Sequence, residues 1–335
     1  MDTISIHRLS ELQTHLDDLT NDASTPFDAK LFDDVELQLT EDNIPPLLTA
    51  LLPPLTTVLK STTQDPTPCL SLTVKLLGPL TFARCLTIAD PPSLTTALRS
   101  PLPGANLLAL AVLHKAAASP ADAAILSTMP DVFEDVLRCW LDAQDVGVAE
   151  RAARVLGDVL EADCVVAPSQ LNGATAIQPG HGRLWSLLLE SRPTSTLIPR
   201  HATPSEQHPS DPPRTDRQIS LSQGRILRLL PRLASLNLAA ISGSDTALLP
   251  WAALAMVDRS DALMHLSLVD FFETLVSVMR VAPTRSSSSD ATLSALVKAA
   301  VADDDKLVEA LRTLPDRTVE DEAEPLREYI GSLLA

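Results

Sequence analysis

Prolines cut the middle of this chain into lengths that suit short helices and little else. Pro66 and Pro68 precede the apolar stretch Leu70–Leu77, and Pro91 and Pro92 precede Leu94–Leu98. Pro103 and Gly104 precede Ala105–Ala118, Ser119 and Pro120 precede Ala121–Met129, and Pro130 and Asp131 precede Val132–Leu141. Asp145 opens Val146–Glu161. Proline is tolerated in the first helical turn, where its missing N–H would have had no helical partner, and it breaks a helix interior. Ser and Asp at these starts supply the side-chain acceptor a helix N-terminus needs. Between the marks the chain is Leu, Ala and Val, with aromatic residues at 3% and only 10 glycines. Leu and Ala lose little side-chain entropy in a helix, whereas strands draw on aromatic and β-branched residues. The pattern therefore predicts an all-α chain of short packed helices.

The flanks follow the same logic. Ile4, Leu9, Leu12, Leu16 and Leu19 mark one face of a first helix, and Leu31, Phe32 and Val35 a short second one. Pro45 and Pro46 open a Leu-rich helix that Pro53 and Pro54 interrupt, which predicts a kinked or two-part helix. Gly173, Pro179, Gly180 and Gly182 break the pattern, and a short apolar helix follows at Leu184–Leu189. Arg192–Arg217 holds six prolines with Ser and Thr and reads as a mobile loop. Helices resume at Ile219–Leu238, Leu248–Val257, Ala262–Val281, Ala291–Ala302, Lys306–Leu314 and Glu324–Leu334, with Arg285–Ser289 as an exposed linker. The resulting plan is one array over residues 1–335. Acidic N-terminal helices occupy 1–43, N-terminal repeats 44–163, an irregular region with the loop 192–217 spans 164–218, and C-terminal repeats fill 219–335.

Weak self-similarity supports a repeat. Thr73–Leu80 resembles Ala153–Leu160, and their glycines, Gly78 and Gly157, lie about two armadillo or HEAT units apart. Leu110–Ala117 falls midway, with His114 where the glycine would be. A small residue there lets two helices cross closely. The expected architecture is an armadillo/HEAT-like α-solenoid of stacked helical repeats.

Net charge excludes some functions. At −17 the chain repels phosphate backbones, so no nucleic-acid partner is expected. Residues 1–43 hold eleven Asp or Glu against Arg8 and Lys30, and a second acidic block runs from Asp303 to Glu324. Such blocks suit solvated helix faces or a basic protein partner. Cys69, Cys85, Cys139 and Cys164 form no C-x-x-C pair and read as buried thiols of a reducing compartment. Residues 1–22 are amphipathic and acidic, unlike a signal peptide, and no span approaches the ~20 uninterrupted apolar residues of a membrane helix. The expected address is cytoplasmic, with the nucleus open, and no membrane partner.

No catalytic constellation emerges. Gly180, His181 and Gly182 follow no strand, so they do not form a phosphate-cradling loop. His201 and His208 lack cysteines nearby, and Asp303, Asp304 and Asp305 lack the ligand spacing of a calcium loop and suit a helix N-terminus instead. No enzyme, cofactor, metal or small-molecule substrate is expected. What recurs is positive charge. Lys75, Arg84, Lys115, Arg138, Arg151 and Arg154 fall on successive helices, with His114 beside Lys115, and Arg183, Arg225, Arg228 and Arg232 continue the series. In a solenoid, equivalent helices line one face, so these residues would form a ladder for a protein partner; they equally suit ordinary solvated faces.

Four stretches together resemble filamentous-fungal members of the proteasome non-ATPase regulatory subunit 5 family. They are Gln64–Leu80, Arg154–Cys164, Gly180–Trp185 and Gln223–Ala234. The resemblance spans about residues 45–280. It implies a curved armadillo/HEAT solenoid that chaperones assembly of the proteasome regulatory-particle base. Such a protein grips the C-terminal domain of one base ATPase, pairs it with its neighbour and leaves before the particle works. It implies no active site, and no binding motif transfers residue by residue. The yeast relative carries a historical mismatch-repair name, so a repair-associated factor is one alternative and another armadillo/HEAT adaptor the other. Importin-type grooves place Asn one turn after Trp; here Gln144, Leu189 and Ala255 follow Trp140, Trp185 and Trp251, against that case. The free chain is expected to be monomeric.

Overall fold

The computed structural model describes residues 6–165, 180–192, 194–204, 213–243 and 247–335. Among these residues every regular element is a helix. The chain divides into two compact units, the first of Met1–Cys139 with Ala143–Val155, the second of Trp140–Asp142 with Leu156–Ala335. The sequence places its break after residue 163; the division between units falls earlier, inside a helix.

The first unit opens with α1 (Leu9–Asn21) and α2 (Ala29–Glu36). Leu12, Leu16 and Leu19 repeat at helical spacing and are buried, as are Leu31, Phe32 and Val35 on α2. Arg8, in the left-handed conformation just ahead of α1, ties the two helices together through Glu11 at 2.8 Å and Asp34 at 2.7 Å. α3 (Leu48–Ser61) follows a 3₁₀ turn at Pro45–Leu47, then α4 (Thr67–Leu77), α5 (Phe82–Leu86), α6 (Pro91–Leu98) and α7 (Pro103–His114). α8 (Pro120–Leu126), α9 (Pro130–Asp142) and α10 (Val146–Ala162) complete the series, the last two crossing the division. Packing skips along the chain: α3 lies against α1 as well as α4, and α4 against α2 as well as α7.

Short helices leave many ends, and the unit meets several of them with a polar side chain. Ser119 accepts from the Asp122 N–H to cap α8, and Asp145 accepts from the Val148 N–H at 2.9 Å to cap α10. Buried Asn106 on α7 donates its amide to the carbonyls of Ala97, Leu98 and Ser100, closing the C-terminus of α6. These groups would otherwise be stranded away from water.

In the second unit α11 (Arg183–Leu189) and α12 (Thr194–Ala202) lead into the long α13 (Asp216–Ser242). Asn237 breaks α13 with a non-helical backbone, so it is two helices joined at a kink. α14 (Leu248–Leu254), α15 (Ala262–Val281), α16 (Ser287–Val301), α17 (Asp305–Thr313) and α18 (Glu320–Leu334) follow. Alternate helices again pack together: α13 with α15 and α15 with α17, α14 with α16 and α16 with α18. By length and composition α15 is apolar enough to cross a membrane, and fewer than half of its residues are buried in the unit. It carries His265, Asp270 and Glu273, and it packs against α13, α17 and α18.

Four local expectations are corrected. α3 runs as one helix through Pro53 and Pro54, whose fixed φ suits a helix, while Thr56 and Thr57 hydroxyls donate to the Pro53 carbonyl. α12 lies inside the stretch 192–217 read as a loop, because Leu197 and Ile198 are buried; averaging over its many polar residues and prolines hid that apolar pair. Residues 205–212 of the stretch lie outside the described residues. The Arg285–Ser289 linker is a helix start: Ser286 accepts from the Ser289 N–H at 3.1 Å while Ser289 Oγ accepts from the Ser286 N–H at 2.6 Å. This is a capping box built from two serines. α5 was not anticipated at all; its signal is Phe82 and Cys85 three apart, both buried, with Thr81 as cap.

The paired glycines also part company. Gly78 is the exposed C-cap of α4 and faces no crossing helix. Gly157 on α10 does permit a close approach, but of a side chain: a Cβ there would lie 2.9 Å from Arg232 Cζ. The guanidinium lies across the glycine and bonds Asp158 and Glu161 at 2.6 Å each. Gly180 is equally constrained, since a Cβ would fall 2.6 Å from Asp163 Cα. There fully buried Asp163 accepts from the Leu184 N–H at 2.6 Å and the His181 N–H at 3.2 Å, and its carbonyl accepts from Gly182. The Gly180–Gly182 motif thus docks the start of α11 on the end of α10.

Two predictions follow from these contacts. An alanine in a helix outranks glycine by about 1 kcal/mol, yet Gly157→Ala should lower stability because it displaces Arg232. In an Arg232→Ala background the same change should raise it, as a urea-unfolding double-mutant cycle would reveal. The second concerns Asp304, which caps α17 through the Leu307 N–H and accepts from buried His265 Nε2 at 2.8 Å, with Arg259 at 3.6 Å. Burial pushes its carboxyl up, but the His265 and Leu307 hydrogen bonds and the Arg259 charge outweigh burial and hold it below the ordinary value. A depressed carboxyl stabilises the fold above its unfolded value and loses that contribution as pH falls. Asp304→Ala should therefore cost about 2–4 kcal/mol at neutral pH. The gap to wild type should narrow below pH ~4, measured by denaturation across pH.

Candidate protein-binding groove

The first unit carries an open groove of about 510 Å³ whose walls come from α2, α4, α7 and α10. Its apolar surface is Leu70 and Val74 on α4 with Leu107 and Ala111 on α7. Each pair is four residues apart, one helical turn, so each presents two side chains to the same side. Val74 is 38% exposed, high for an aliphatic side chain on a packed helix. Of α7, most residues are buried; Leu107 is half-exposed toward the groove.

Charge surrounds this apolar strip. Lys75 stands on α4, and Arg151 and Arg154, three residues apart on one face of α10, line it from another wall. Glu36 of α2 accepts from the Ser71 hydroxyl at 2.9 Å, and exposed Glu150 lies beside Arg151 in sequence. Arg151 Nη2 sits 3.4 Å from His114 Nδ1, so the histidine at the end of α7 steadies the arginine. Lys75 and Arg154 are exposed and make no ion pair among the described residues. In a chain of net charge −17, three cations around one groove reverse the prevailing sign locally.

Of the eight candidate residues, then, the structure brings together Lys75, Arg151 and Arg154, with His114 behind them. The others go elsewhere. Lys115 Nζ donates to the Gly78 and Leu80 carbonyls at 3.1 and 2.8 Å, anchoring the loop after α4. Arg138 pairs with Glu134 one turn away and approaches buried Asp135, which Arg99 Nε holds at 2.9 Å. Arg84 is exposed on α5 and does not line the groove. Arg228 is exposed on α13, in the second unit. Of the extended series, Arg225 donates to the Leu141 carbonyl at 2.9 Å and Arg232 is bound across Gly157. Within the first unit the groove gathers a local cluster of cations, while Lys115 answers backbone carbonyls and Arg138 neighbouring carboxylates. The apolar strip was missed by the sequence reading, although the i, i+4 pairs Leu70/Val74 and Leu107/Ala111 were visible in it.

Most of the remaining cysteines and histidines singled out in the sequence are buried or partly buried. Burial pushes the Cys69 and Cys139 thiols up to about 12 and Cys164 to about 11, which keeps them protonated and unreactive. His201 is buried with Nδ1 2.9 Å from the Leu197 carbonyl, and His181 is exposed and used through its backbone. His208 lies outside the described residues. Among the described residues no group of three or more His, Cys, Asp and Glu side chains is placed to hold a metal ion. The second unit contains a smaller apolar cavity of about 380 Å³ between α13, α14 and α16. Comparison with protein-family models, with curated proteins and with solved structures found no match to this chain in any of the three.

The two roles of positive charge can be separated. Lys115→Met should lower stability by about 1 kcal/mol, seen as an earlier urea midpoint, while leaving partner binding unchanged. Arg154→Ala should do the reverse. A Lys115 variant of native stability would remove the anchoring role assigned to that side chain.

Proposed function

We propose that this chain is a non-catalytic protein-binding scaffold that chaperones assembly of the proteasome regulatory-particle base by holding the C-terminal domain of a base ATPase. The observation that carries the reading is the groove of the first unit, where four helices place an apolar strip and three cations on one open face. Such a strip ringed by charge is the layout of a binding surface, with apolar contact for affinity and charge for register and rate. The in-line packing of alternate helices within each unit supports an armadillo/HEAT-like arrangement of stacked helical pairs, each presenting equivalent helices to one side. The choice of partner rests on the resemblance of Gln64–Leu80, Arg154–Cys164, Gly180–Trp185 and Gln223–Ala234 to the regulatory subunit 5 family. Lys75, Arg151 and Arg154, which line the groove, fall in or beside the first two of these stretches. The reading carries a cytoplasmic address, with the nucleus open, and no nucleic-acid partner, since a net charge of −17 opposes DNA contact.

The test is reconstitution with purified C-terminal domains of the base ATPases, taken one at a time and followed by size-exclusion chromatography. One domain should co-elute with the chain in a stable complex and the others should not. Failure of every domain to co-elute would end the chaperone reading.

A further inference from the structure

We infer that the groove of the first unit takes a short acidic segment of another protein, in which an aliphatic side chain is flanked by carboxylates. The inference rests on the reading of this chain as a protein-binding scaffold and specifies what chemistry that scaffold recognises.

The argument begins with what the groove lacks. Many arginines of this chain are bound to a carboxylate or a carbonyl within their own unit. Lys75 and Arg154, exposed on α4 and α10, line the groove together and make no ion pair among the described residues, though acidic side chains outnumber basic ones 43 to 26. Grouped at one groove, these cations offer an anionic side chain short-range charge pairing, which a chain of net charge −17 otherwise opposes at longer range. The strip of Leu70, Val74, Leu107 and Ala111 between them offers no hydrogen-bonding side chain, so the part of the ligand that lies on it is aliphatic. A volume of about 510 Å³ suits a few side chains, those of one segment that a larger partner presents to the groove. Glu36 and Glu150 set the limits of the site. Both repel a second carboxylate placed near them, so a uniform polyanion such as a nucleic acid strand would meet repulsion along with attraction. A segment with discrete acids can place them at Lys75 and Arg154 alone, and this selectivity by unfavourable contact is what distinguishes the two classes of ligand.

Fluorescence anisotropy on the full chain tests this. The probe is a labelled synthetic peptide of leucines between glutamates, compared with a version carrying lysine for glutamate and one carrying alanine for leucine. The acidic, leucine-containing peptide should bind, both altered peptides should bind at least about tenfold more weakly, and affinity should fall with added salt. The double variant Lys75→Glu, Arg154→Glu should lose at least about tenfold in affinity with unchanged helicity and melting. Because charge reversal can disturb folding, Lys75→Gln, Arg154→Gln serves as the second variant and should show a smaller loss in the same direction. Peptide binding that is absent in wild type, or equal in wild type and both variants, overturns the inference. So does a single-stranded oligonucleotide that binds more tightly and displaces the peptide, or a concentration-dependent dimer that disappears in the double variant. An ATPase domain that binds wild type and both variants alike would retain the chaperone reading and reject this groove; peptide binding without any ATPase partner would do the opposite.

Discussion

A helix leaves four N–H groups at its start and four C=O groups at its end without helical partners. A chain built from many short helices multiplies that burden, and here many of the ends lie inside the protein. The structure depends on side chains that reach across to these ends. Asp163 serves the start of α11 from the end of α10, and Asn106 closes α6 from α7. Lys115 binds the carbonyls after α4, and Asp304 caps α17 while holding His265 of α15. Each of these polar groups is buried or half-buried, and each would be costly without its partner. They also give the packing its specificity. Leu and Ala alone fill space without preferring one helix register over another, whereas a hydrogen bond to a particular carbonyl accepts only one arrangement.

That demand shapes the surface as well. Cations used to close helix ends or to satisfy buried carboxylates are no longer available to a partner. Arg99 and Arg138 serve Asp135, Arg225 serves the Leu141 carbonyl, and Arg232 bridges Asp158 and Glu161 over Gly157. Removing them by substitution would disturb the fold first and binding second. Lys75 and Arg154 make no ion pair among the described residues and together flank an aliphatic strip. The groove is therefore the place where the electrostatics of this acidic chain are turned outward.

Helix content was legible because it depends on local signals that a linear reading sees: proline punctuation, caps and Leu/Ala spacing. Ser119 and Asp145 cap the helices their positions promised, and Ala262–Val281 is a helix over the expected residues. Errors arose where a local average outweighed a few residues. The prolines of 192–217 concealed the buried pair Leu197 and Ile198, and a run of serines that reads as a linker is the cap of α16. For the site, three of the eight candidate residues meet in the groove because they lie on helices that line one opening, α4 and α10. The rest were included because sequence cannot distinguish a cation that faces solvent from one that answers a carbonyl in the next helix. Lys115 and Lys75 look alike in the sequence and differ only in what stands within hydrogen-bond reach.

The sequence by itself determined the class of structure, since helix propensity, capping and proline punctuation act over a few neighbouring positions, and aromatic strand formers are scarce. It determined the sign of the charge, which is read by inspection. Tertiary structure decided which side chains are spent on the fold and which stay exposed at the groove. That allocation depends on contacts between residues far apart in the chain, such as Asp163 with Leu184, Gly157 with Arg232, and the gathering of Lys75 with Arg154. No local propensity encodes such pairings; they exist only once the helices have packed.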